Sequence, residues 1–170
     1  MAVLNSEDVQ VVKSLKRLKS FQAFTKAELS ALTRNGGSAF FCGDGDIDAL
    51  GYHAEAIERP HHQALYGGPL LLAHSYKDFD PHFAECIIRN MKLGMRAKQT
   101  NAVFLYFHYP CAAALMLGYT LDQVLGFAYE VINRLSQEDI LTPEKIYAFF
   151  HFKWEGKRGK LIQRTYRLMA

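Results

Sequence analysis

Ala102-Val103-Phe104-Leu105-Tyr106-Phe107-His108-Tyr109-Pro110-Cys111 is the stretch on which the reading of this chain turns. Six apolar or aromatic residues run without a break into a histidine, a Tyr-Pro pair and a cysteine, which reads as a buried strand with a functional end. Extended to Tyr119, the same stretch is the strongest candidate for a membrane span. Its proline falls mid-segment, and His108 interrupts the run. A buried strand, a turn and the start of a helix account for it better, so no membrane association is expected.

A second stretch has the same form. Ser38-Ala39-Phe40-Phe41 runs into Cys42-Gly43-Asp44-Gly45-Asp46. If the two runs are parallel neighbours in one sheet, Cys42 and His108 emerge at the same carboxyl edge, where open α/β sheets build their sites. Cys111 follows His108 by about one turn. Two thiols and an imidazole converging from two loops are a familiar zinc set, with the fourth position left to a carboxylate or to water.

The rest of the chain alternates helices and strands. Val9, Val12, Leu15 and Leu18 are spaced as on a helix over residues 6–18, and Thr25 with Glu28 forms a capping box for a second helix that Gly36-Gly37 stops. Residues 49–57 read as helical up to Pro60, and Pro69 to His74 as a strand. Asp80-Pro81 is an N-cap followed by proline at the first helical position, opening a helix to about Gly94. Thr120 and Gln123 form another capping box, and Thr142-Pro143 marks a break. The tail reads as a hairpin, with strands over 146–154 and 160–168 joined by the turn Glu155-Gly156-Lys157-Arg158-Gly159. The expected architecture is α/β: a mainly parallel β-sheet flanked by helices, with an antiparallel C-terminal edge. Residues 1–35 would be leading helices and 36–170 the α/β core, in one domain.

Composition narrows the function classes. The chain has 170 residues, 49% of them hydrophobic and 13% aromatic, enough to bury a substantial core. Twenty basic against 17 acidic residues give a formal charge of +3, too slight to argue for a nucleic-acid partner. Three cysteines are an odd, sparse set, unlike a secreted disulfide framework. With no secretory signal visible over 1–20, a cytoplasmic location is expected.

Cys42-x-Asp44 followed by His108-x-x-Cys111, 66 residues on (108 minus 42), resembles the paired motifs of the β-class carbonic anhydrases. Gly67-Gly68 between the motifs and a closing strand with aromatic, tryptophan and glycine residues agree with it. The resemblance covers roughly residues 20–168. It implies a carbonate dehydratase, a lyase that hydrates carbon dioxide reversibly to bicarbonate. Cys42, His108 and Cys111 would be zinc ligands and Asp44 the helper that orients a zinc-bound water. It also implies a homodimer or higher homo-oligomer.

One position departs from the family. Where the family has an arginine that holds the aspartate off the metal, this chain has Asp46. A second carboxylate nearby makes the approach of Asp44 to a cation more favourable. Asp44 is therefore also a candidate fourth ligand, closing the site in a non-catalytic zinc-binding relative, unless Arg59 or Arg89 supplies the missing charge. A third reading takes Asp44-Gly45-Asp46 as the Asp-x-Asp signature of haloacid-dehalogenase-like phosphatases. Asp48 stands where that signature expects threonine or valine, and the reading leaves His108-x-x-Cys111 unexplained. His61, His62 and His74 are candidates for proton shuttles or extra ligands but are expected to be ordinary loop histidines, Cys86 a small core residue rather than a fourth ligand, and Lys157-Arg158 a solvated turn.

Overall fold

The computed structural model describes residues 2–23, 25–33, 36–44, 61–138 and 145–169. The expected helix over 49–57 and the break at Thr142-Pro143 lie outside the described residues, as do Asp46, Asp48 and Arg59.

A six-stranded mixed sheet organises the chain, with helices packed against it. Its strands are β1 (Phe21–Ala23), β2 (Ser38–Cys42), β3 (His61–Leu65), β4 (Val103–Tyr109), β5 (Ile146–Glu155) and β6 (Leu161–Leu168), in the order β1-β6-β5-β4-β2-β3. Strands β3, β2, β4 and β5 are mutually parallel, and β6 and β1 extend the sheet in antiparallel fashion. The parallel core and the antiparallel C-terminal pair of β5 and β6 are those expected from the alternation of elements, but the edge strand on that side is β1, within the segment expected to hold only leading helices. The chain moves outward from β2 to β3 and returns to place β4 on the other side of β2. The crevice at the carboxyl ends of β2 and β4 is thus a topological switch point.

The central strands are apolar almost throughout because both of their faces are buried. One face carries Phe40, Cys42, Leu105, Phe107, Phe150 and Phe152, packed with α1 (Ser6–Arg17), α3 (Pro81–Lys98) and α5 (Leu121–Gln137) in the larger core. The other face carries a smaller, mainly aromatic cluster of Ala39, Phe41, Phe104, Tyr106 and Phe149. A short helix, α2 (Lys26–Thr33), precedes β2, and α4 (Ala112–Met116) follows β4.

The helix starts follow the capping chemistry in the sequence. Glu28 accepts from the backbone N–H of Thr25, and Thr25 from that of Glu28, before α2. Asp80 accepts from the Phe83 backbone N–H at 2.9 Å ahead of Pro81, and Thr120 with Gln123 completes a reciprocal capping box at α5.

Four expectations are corrected. The strand expected at Pro69 to His74 is instead a 3-10 helix over Gly68–Leu72, because Gly67 and Gly68 turn the chain with φ of 89° and 53° and Pro69 has no N–H for a ladder. Helix α3 does not stop near Gly94 but runs to Lys98. Gly94 is a packing notch, since a Cβ there would fall 2.0 Å from the His61 ring. His61 and His62 are not loop residues: they open β3, an edge strand without the apolar alternation that would announce it. Cys86, expected in the core, is exposed on α3. No helix among the described residues is long and apolar enough to cross a membrane.

Candidate metal centre

Each candidate donor is placed by a different piece of local structure. Cys42 is the last residue of β2, and Asp44 follows two residues later. His108 is the penultimate residue of β4, and Cys111 is the N-cap of α4, reached through Tyr109-Pro110. The parallel register, running from Ser38 opposite Val103 to Phe41 opposite Tyr106, brings both strand ends to one level.

The four sequence-derived candidates converge. One donor atom from each of Cys42, Asp44, His108 and Cys111 lies within 4.8 Å of all the others, a group that could hold a metal ion. His108 Nε2 is 3.1 Å from Asp44 Oδ2, and the Gly67 backbone N–H donates to Cys42 Sγ at 3.2 Å. Cys42 is 5% and Cys111 1% exposed, so the thiols face each other and the imidazole rather than water. The donors of a tetrahedral zinc site, with bonds of about 2.0–2.3 Å, lie about 3.3–3.8 Å apart. A spread of at most 4.8 Å is near that, and a mixed thiolate, imidazole and carboxylate set is one zinc accepts.

The same contacts set the protonation of the donors. The hydrogen bond to Cys111, together with burial, pushes the Cys42 thiol far above its usual pKa. Cys111 is lowered, chiefly as the receiving partner of that bond and despite its burial, with the backbone N–H groups of Ala114 and Ala113 assisting. Burial alone would depress His108, but its hydrogen bonds to Asp44 and Cys42 outweigh this and hold it up at about 9. Metal uptake must therefore expel protons from Cys42 and His108. Affinity for a divalent metal ion is expected to fall as pH drops below about 9, by roughly tenfold per unit for each proton displaced. Calorimetric titration in buffers of different ionisation heat counts those protons, and zinc uptake without proton release would contradict this protonation pattern.

The surroundings add residues that the motifs do not include. Gly67-Gly68 both turns the chain and lies against the end of β2: a Cβ at Gly68 would come within 2.5 Å of the Cys42 backbone nitrogen. Tyr66, 52% exposed, bonds through its hydroxyl to Met116 Sδ at 3.5 Å. Its phenol pKa is raised by desolvation and by the charges of Cys111, Cys42 and Asp44. A narrow crevice adjoins Cys42, His108 and Cys111 and is walled by Pro69, Leu70 and Phe107.

The remaining candidates lie elsewhere. The His61 ring packs at Gly94, His74 lies against Phe79 with ring centroids 4.5 Å apart, and Cys86 and Arg89 are exposed on α3. Neither a protein-family model nor a curated protein matches this chain.

Proposed function

We propose that the chain binds zinc through Cys42, His108 and Cys111, with Asp44 beside the ion as a helper, and supports the reversible hydration of carbon dioxide, as a divergent relative of the β-class carbonic anhydrases. The observation that carries this reading is the convergence of four donors from two loops at the carboxyl edge of adjacent parallel strands. When bound, zinc lowers the pKa of water from about 15.7 toward about 7, which makes a nucleophile available near neutral pH. Cys42, His108 and Cys111 hold the ion. Pro69, Leu70 and Phe107 give the donor group an apolar wall. Asp44 is the carboxylate of the group; its Oδ2 is engaged by His108 Nε2, and once that imidazole binds the ion the carboxylate would be free to accept a hydrogen bond or proton. A homodimer or higher oligomer and a cytoplasmic setting belong to the same proposal.

One observation favours a second reading. The Asp44 carboxylate lies inside the donor group itself, within 4.8 Å of both thiols. A site closed by four protein ligands would make this a zinc-binding relative with weak or no hydratase activity. Stopped-flow hydration assays on zinc-loaded wild type and Asp46→Arg separate the two. If the arginine draws Asp44 off the metal, the rate rises by at least about tenfold, or about 1.4 kcal/mol of barrier. Hydration at the uncatalysed rate in both proteins would rule out the hydratase and leave the closed site.

A further inference from the structure

One buried polar side chain outside the donor group lies in line with it. His151 is 4% exposed, on the mainly aromatic face of the sheet. The parallel pairing of β4 with β5 sets Phe104 opposite Tyr147, Tyr106 opposite Phe149 and His108 opposite His151. The first two pairs are stacked rings, with centroids 5.3 and 5.0 Å apart and planes inclined by 14° and 26°. Alternate residues of a strand share a face, so His108 and His151 form the next rung of the same ladder.

Neighbouring strands stand about 4.8 Å apart, which puts His151 next to His108 in the sheet, on the side away from β2. On the β2 side, His108 is already held by Asp44. Strand β6 pairs His151 with Thr165, and His151 Nδ1 lies 2.9 Å from Thr165 Oγ1, a hydrogen bond that fixes the rotation of the ring. A phenylalanine would continue the ladder without the desolvation cost of a buried imidazole. The polar residue stands instead at the one rung that includes a candidate metal ligand.

We propose that His151, braced by Thr165, is a positioning residue for His108 and sets the angle at which that imidazole meets the metal. The inference rests on the metal-binding reading of Cys42, Asp44, His108 and Cys111, and is independent of carbon dioxide hydration. Partners that orient a ligating histidine typically change metal affinity by about 10–100-fold.

The test compares wild type, His151→Phe, His151→Gln and Thr165→Val by the visible spectrum of the cobalt(II)-loaded protein and by zinc affinity against a competing chelator. Circular dichroism establishes folding first. His151→Phe is expected to lose about 10–100-fold in zinc affinity and to shift the cobalt bands. His151→Gln should recover part of the loss, and Thr165→Val should shift the bands in the same direction by less. Thr165→Val is nearly isosteric and decides the matter alone if His151→Phe does not fold. Cobalt spectra and zinc affinities matching wild type in every folded variant would overturn the role of the pair while leaving the metal site standing. Cobalt uptake by none of the proteins, wild type included, would overturn the metal reading and this inference with it.

Discussion

Cys111→Ser is expected to abolish zinc binding, from about one ion per wild-type chain to less than about a tenth in the variant. Serine keeps the shape but offers a hard, weakly acidic hydroxyl where zinc prefers a soft thiolate. The loss reaches beyond one ligand, because Cys111 also shares a hydrogen bond with Cys42 and takes its negative character from it. The variant should still fold. Cys111 is the N-cap of α4 without a side-chain capping bond, and serine is among the better N-caps. Metal analysis on protein purified without chelator or added metal, beside circular dichroism, provides the check. Equal zinc in both proteins would place the metal elsewhere, and no zinc in either would remove the metal centre.

Gly68→Ala is expected to destabilise the fold by about 2–4 kcal/mol, which for a chain of this size lowers the melting temperature by about 5–15 °C. Two costs combine. Gly68 has φ of 53°, a left-handed conformation that side chains rarely adopt. Its added Cβ would also lie 2.5 Å from the Cys42 nitrogen and 2.8 Å from both Cys42 Cα and the Phe41 carbonyl carbon. These are backbone atoms, so the end of β2 must move to relieve the overlap, and Cys42 moves with it. Weaker zinc binding should accompany the thermal shift. Gly126→Ala is the matched control: nothing lies within 4 Å of a Cβ there, and in the exposed interior of α5 alanine should stabilise by about 0.5–1 kcal/mol. Thermal unfolding with equal midpoints for the two variants would contradict the packing described at Gly68.

Much of this arrangement is legible in the sequence because it rests on local chemistry. The unbroken apolar runs ending at Cys42 and His108 predict strands buried on both faces, and the Thr120 and Gln123 box starts a helix where it should. The donor group follows once those strands are parallel neighbours. What the sequence conceals depends on contacts between distant segments. Strand β3 reads His-His-Gln-Ala-Leu, and His61 fits there because α3 leaves a gap at Gly94, 33 residues away (94 minus 61). Leu70 and Leu72 are buried as a strand would bury them, yet two left-handed glycines and Pro69 make the segment a tight helix. Cys86 shares α3 with buried Ile87 and Ile88, but its angle on the helix turns it to solvent. For His151, the signal lies only in the pairing register, which a single strand cannot reveal.

Cys42 and His108 are 66 residues apart in the chain (108 minus 42), yet they sit at the ends of strands that touch. An ion shared between them would act as a reversible cross-link closing a long loop. By the chain-entropy relation used for disulfides, such a link removes about 4 kcal/mol of freedom from the unfolded chain. Pairing of β2 with β4 is also a distant contact, of the kind that forms slowly. The donors assemble only once that pairing is made, so a bound ion would act mainly as a brake on unfolding rather than as a nucleus for folding.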